Sequence, residues 1–103
     1  MKTPSSREAV ILQILVDGEK FGREIRDCVE ELTGREMPLG SLYTTLDRMV
    51  NAGFLASRLG DSDPNRGGNR RRFFKVTASG MHALDGWKSA ILVPLARWGI
   101  NAI

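Results

Sequence analysis

Between Leu39 and Val50 the apolar residues fall at Leu39, Leu42, Tyr43, Leu46, Met49 and Val50, in steps of three, one, three, three and one. That spacing closes one face of a helix turning every 3.6 residues, so the segment reads as an amphipathic helix with a single buried side. The opposite side carries Ser41, Thr44, Thr45, Asp47, Arg48 and Asn51. A helix exposed only for stability would use Glu, Lys, Gln and Ala there, because hydroxyl side chains lose helix propensity. Their presence points to a surface with a task of its own.

The flanking segments complete an order of elements. Upstream, a helix begins after an N-cap at Ser6, with Val10, Ile11, Ile14 and Leu15 at helical spacing, and ends at Asp17-Gly18-Glu19. A second helix carries Phe21, Ile25, Cys28, Val29 and Leu32 on one face and closes at Gly34. Downstream, Gly53 stops the third helix. Phe54 to Leu59 reads as a strand, Gly60 to Gly68 as a turn or loop, and Arg71 to Val76 as the return strand of a long-tipped hairpin. Thr77 caps a last helix with Met81, Leu84, Trp87, Ile91 and Leu95 in a stripe, which Pro94 is expected to kink or end. The fold class is therefore mainly α with a small β-hairpin: a winged helix-turn-helix, with the second and third helices joined through Thr33 to Pro38.

The chain of 103 residues is one domain's worth, and 42% hydrophobic residues suffice for a small core. No run of about 20 apolar residues offers a membrane span, and the polar start, Met1 to Glu8, lacks the apolar centre of a signal peptide. With one cysteine, internal disulfides and thiolate metal clusters are out, and a reducing cytoplasm is the expected location. Cys28 reads as a small core residue. His82 is the sole histidine, so neither a metal site nor a nucleophile–base pair can be assembled: no cofactor, no metal and no catalysis are expected.

Charge is localised. Of the formal +3, the stretch from Arg58 to Val76 holds six positive residues (Arg58, Arg66, Arg70, Arg71, Arg72 and Lys75) against Asp61 and Asp63. The hairpin is thus the basic element of a nearly neutral body, the electrostatic footprint of a polyanion binder. In a winged helix the third helix enters the DNA major groove and the hairpin reaches phosphates or an adjacent minor groove. Ser41, Thr44, Thr45 and Arg48 are the recognition-helix candidates. Arg66, Asn69, Arg70, Arg71 and Arg72 are the wing candidates, with strand alternation turning two of the last three toward DNA. Tyr43 is either a core tyrosine or a phosphate contact. Lys20 and Arg23, at the start of the second helix, are backbone contacts or ordinary surface charges.

Two blocks carry a resemblance to a known family. Phe21-Gly22-Arg23-Glu24-Ile25 and Gly40-Ser41-Leu42-Tyr43-Thr44-Thr45-Leu46-Asp47-Arg48-Met49 form the first; Gly67-Gly68-Asn69-Arg70-Arg71-Arg72-Phe73-Phe74-Lys75-Val76-Thr77 forms the second. Together with Ala52-Gly53-Phe54-Leu55 and Gly80, they resemble the PadR-type transcriptional regulators in their short form. The resemblance implies a homodimeric repressor that binds double-stranded DNA at an inverted repeat. It also implies a division into a DNA-binding unit, residues 1–76, and a C-terminal dimerisation helix and tail, residues 77–103, with Met81, Leu84, Trp87, Ile91 and Leu95 at the interface. Some family members take flat, apolar ligands in an aromatic pocket at that interface, which makes Trp87 and Trp98 the ligand candidates. The chain departs from the family at Thr44, where proline is common, in the longer wing at Asp61 to Arg66, and at Pro94. A winged-helix protein-interaction module without DNA binding is the alternative; it predicts a neutral or acidic wing.

Overall fold

The computed structural model describes residues 3–62, 64–68 and 70–97, with the side chains of Arg66, Val93, Leu95 and Ala96 outside that description. Asn69 and Trp98 also lie outside the described residues. The first helix, α1, spans Ser6–Leu15. Its N-cap is Ser5 and not Ser6, because the capping box needs Glu8 three residues on: Glu8 N–H donates to Ser5 Oγ at 3.2 Å and Ser5 N–H to the Glu8 carboxylate at 2.8 Å.

Lys20–Phe21 forms a short strand, β1, where the sequence suggested the opening of the second helix. Glu24 explains the difference. Its carboxylate accepts from the Phe21 N–H at 3.1 Å, leaving Phe21 extended as the residue before helix α2, Gly22–Thr33. Ile25 and Val29 of α2 are buried, but Leu32 is 66% exposed, contrary to its place in the expected stripe. The chain folds Met37 into that end of the core instead, with its N–H donating to Glu30 Oε2 at 2.7 Å. Gly34 takes the left-handed conformation that closes α2.

Helix α3 spans Leu39–Asn51 and buries Leu42, Leu46 and Met49 completely. Thr45 is buried with them, at 7% exposure, and not on the outer face. It follows Leu42 by three residues and precedes Met49 by four, so helical geometry places it on the inner side. Its hydroxyl is satisfied by donating to the Ser41 carbonyl at 3.1 Å.

The wing is built from β2, Leu55–Ser62, and β3, Arg70–Val76, in a three-stranded antiparallel sheet of order β1-β3-β2. The register pairs Leu55 with Val76, Ser57 with Phe74 and Leu59 with Arg72, then slips through an irregularity to pair Ser62 with Arg70. Both strands outrun the sequence expectation, and the tip, which holds a 3₁₀ turn at Pro64–Arg66, is correspondingly short. Gly60, expected as a turn residue, lies within β2, and a Cβ there would overlap the Phe73 ring.

The last helix, α4, spans Ala78–Arg97 and runs through Pro94. Thr77 caps it as expected, accepting from the Gly80 N–H at 3.0 Å. The same hydroxyl donates to the Gly53 carbonyl at 2.6 Å, and the Thr77 N–H donates to the Phe54 carbonyl at 3.0 Å. Gly80 sits so close to the Phe54 carbonyl that no side chain fits between them. Ala83 and Leu84 complete a core shared by α1, α2, α3 and the sheet, centred on Ile11, Leu12, Ile25, Leu46 and Phe74. Leu84, expected at a dimer interface, is only 1% exposed within the single chain, because the contact of α4 with α1 and the sheet covers it. Among the described residues, no helix is long and apolar enough to cross a membrane.

Candidate nucleic-acid interface

The sheet sorts the wing's basic residues between two faces, since neighbours along a strand point to opposite sides. On one face lie Arg58, Phe73, Phe21 and Arg71. The Arg58 guanidinium stands 4.7 Å from the centre of the Phe73 ring, Phe73 meets Phe21 edge-on at 5.8 Å, and Arg71 stands 4.5 Å over Phe21. The result is a ladder of cations and rings running across β2, β3 and β1. Arg58 is also fixed by Glu19, in the turn after α1, through a two-pronged ion pair whose Nε–Oε2 distance is 2.9 Å. The bonded guanidinium holds the Glu19 carboxyl below the usual carboxylate range, and Glu19 in turn raises Arg58. Arg58 is therefore a structural cation of the wing's root.

On the other face, Arg72 stands 4.8 Å over Phe74, donates to Asp47 Oδ1 of α3 at 2.6 Å and approaches Ser57 Oγ at 3.3 Å. Asp47 belongs to the exposed side of α3. The wing and that side of the helix therefore meet directly.

Where they meet, a notch of about 150 Å³ is lined by Phe21, Arg23, Tyr43, Arg70, Arg71 and Arg72. Beside it, α2 and α3 approach each other closely. Gly22, the first residue of α2, lies against the Tyr43 phenol, and a Cβ there would overlap the ring and hydroxyl. Tyr43 is half-buried, with its ring 6.3 Å from that of Phe74. Its hydroxyl has no hydrogen-bond partner among the described residues. Arg23 and Arg70 likewise have no ion-pair partner among them. The notch thus combines a helix N-terminus, an unengaged hydroxyl and the guanidinium groups of Arg23, Arg70 and Arg71, a donor set suited to a phosphate oxygen, with Arg72 beside them already bonded to Asp47.

The remaining candidates distribute as follows. Ser41, Thr44 and Arg48 are exposed on α3, with the Thr44 hydroxyl donating to the Gly40 carbonyl at 3.0 Å. Thr45 is buried, as described. Lys20 lies in β1 opposite Phe74, and not in a helical first turn. On α4, Met81 and Trp87 are half-buried, Trp87 packing on the core, while Ile91 and its neighbour Leu92 are each 42% exposed. A second cavity of about 520 Å³ is walled by Val10, Val29, Thr33, Arg35, Met37 and Ser41, among others, beside the turn that joins α2 to α3. Reading by element missed the roles of Asp47, Glu19 and Phe21. The alternation of Arg71 and Phe73 with Arg72 and Phe74 carried part of the signal; the partners on α3 and in the turn after α1 did not follow from spacing.

Comparison with known proteins matches residues 11–86 to the Transcriptional regulator PadR-like family. No curated protein sequence is matched. Among solved structures, a candidate transcriptional regulator from Thermoplasma acidophilum is 30% identical, with a TM-score of 0.74, over 88% of this chain and 82% of that one. A PadR-like regulator from Bacillus cereus is 23% identical, with a TM-score of 0.72, over 89% and 86% of the two chains. The Bacillus subtilis PadR, solved in complex with operator DNA, is 23% identical, with a TM-score of 0.69, over 80% of this chain and 46% of that one.

Proposed function

Because the chain belongs to the PadR-like family of transcriptional regulators, we propose that it is a repressor that binds an inverted-repeat DNA operator as a homodimer. The observation that carries this reading is the notch in which Arg23, Arg70, Arg71 and the Tyr43 hydroxyl converge beside the exposed side of α3. A phosphate seated there sets the depth and register of the helix in the major groove. Ser41, Thr44 and Arg48 then face the base edges, short hydroxyl side chains allowing close approach and the arginine suiting guanine. Arg66 and Asn69 extend the wing's contact along the backbone. The operator-bound Bacillus subtilis protein of the same fold supports the assignment.

Residues 1–76 are the DNA-binding unit and residues 77–103 the dimerisation helix and tail. The half-buried Met81 and Trp87, the exposed Ile91 and Leu92, and Leu95 are the interface residues on α4. Two copies then present their α3 helices to half-sites about one helical turn apart. A flat apolar ligand stacking on Trp87 between the subunits is the inducer we infer, with Trp98 as the further ligand candidate, and the cytoplasm is the place of action.

The test is a gel shift on random and selected duplexes over a range of salt concentrations, with a sizing column for the dimer. Binding should weaken steeply as salt rises, and Arg23→Ala and Arg70→Ala should each flatten the log–log slope by about 0.9 per subunit bound. Absence of duplex binding at low salt would overturn the reading.

A further inference from the structure

Asp47 is an unexpected residue on a helix surface meant to approach a polyanion, since its carboxylate repels phosphate. Its setting gives it a purpose. Arg72 is held on three sides: Asp47 Oδ1 at 2.6 Å, Ser57 Oγ at 3.3 Å and the Phe74 ring at 4.8 Å. The fully buried Phe74 fixes the plane on which the guanidinium rests. By contrast, Arg23 and Arg70, on the same notch, have no carboxylate partner among the described residues.

We propose that Asp47 is a positioning residue that keeps Arg72 out of phosphate contact and makes it a brace between the recognition helix and the wing. The inference rests on the DNA-binding reading and deepens it by dividing the notch's arginines into two kinds. Arg23, Arg70 and Arg71 meet phosphate. Arg72 meets Asp47, so its charge is spent inside the protein and adds nothing to affinity for arbitrary DNA. The pair joins β3 to α3, which fixes the angle between the two DNA-facing elements. A carboxylate and a phosphate compete for the same forked donor, and the carboxylate has the advantage of being already in place.

The experiment is a salt titration of binding to random duplex by the full chain carrying Asp47→Ala, Arg72→Ala or both, with melting curves to establish that each variant folds. Asp47→Ala should release Arg72 to a phosphate, steepening the log–log slope by about 0.9 per subunit and tightening binding roughly tenfold per subunit at 0.1 M salt. Arg72→Ala alone bares the Asp47 carboxylate to phosphate, so the comparison that isolates Arg72 is the double variant, which removes both charges and should keep the parent's slope. Asp47→Asn, which keeps the side chain's shape, should move the slope in the same direction as Asp47→Ala. A slope flatter than the parent's for the double variant would make Arg72 a phosphate contact and overturn the inference. So would an unchanged slope for both Asp47 variants. Failure of the parent to bind any duplex removes the DNA reading itself, whereas parental binding with unmoved slopes removes this inference alone.

Discussion

Replacing Thr77 with alanine tests the joint that ties α4 to the DNA-facing body. The Thr77 hydroxyl makes two bonds at once, accepting from Gly80 N–H at 3.0 Å and donating to the Gly53 carbonyl at 2.6 Å. Loss of an N-cap costs about 1 kcal/mol. Loss of the second bond costs about 1 kcal/mol more, without the larger penalty of a stranded buried acceptor, because Gly53 is exposed to water. Thr77→Ala should therefore destabilise the chain by about 2 kcal/mol and lower its melting temperature by roughly 10 °C at fixed protein concentration. Thr77→Ser keeps both bonds and should stay within about 0.5 kcal/mol of the parent. The measurement is urea unfolding followed by circular dichroism, compared at equal m-value. An alanine variant as stable as the parent, or a serine variant as weak as the alanine one, would refute the double role.

Further outcomes follow from the site. Tyr43→Phe should weaken duplex binding about tenfold per subunit with no change in salt slope or melting temperature, because it removes one hydrogen bond from an uncharged donor to phosphate, worth about 1.5 kcal/mol; the same gel-shift titration reads it. Gly22→Ala forces a Cβ into the Tyr43 phenol, so it should lower stability by about 1–3 kcal/mol in urea unfolding and disturb the notch together with it. Thr45→Ala should leave the selected base preference unaltered, since the side chain is buried; a shifted preference in site selection would contradict that. Glu19 has its carboxyl lowered by Arg58, so the stability it contributes is present above the ordinary carboxylate range and is lost as pH falls through its folded value. The gap between parent and Glu19→Gln in unfolding experiments should accordingly be widest near neutral pH and close on acidification.

Much of the fold was legible because its signals are local and periodic. The steps along α3, the cap at Thr77 and the stop at Gly34 each depend on residues within one or two turns. The errors share a cause as well. The hydroxyl of Thr45 suggests the outside, but its position three residues after Leu42 puts it inside, where a short hydroxyl can satisfy itself on its own helix. Lys20 and Phe21 form a strand because β3 offers an edge 52 or more residues away in sequence, a partner no local pattern reveals. Leu84 reads as an interface residue but is buried in the chain's own core, because a stripe on a terminal helix does not say which of its turns that core already covers. At the site, the identity of the basic residues was readable, but their division was not. That Arg58 belongs to Glu19 and Arg72 to Asp47 depends on contacts between elements 39 and 25 residues apart.

The ladder of Arg58, Phe73, Phe21 and Arg71 has a consequence for how such a protein would leave and regain its target. Attraction between a guanidinium and the face of a ring acts at contact range, where mobile ions intervene far less than between a protein and a distant phosphate. Ionic strength high enough to strip the chain from a duplex should therefore leave the hairpin's shape standing. Each new encounter would begin with a finished surface, and the speed of recapture would be set by diffusion and steering, with no refolding of the wing to wait for.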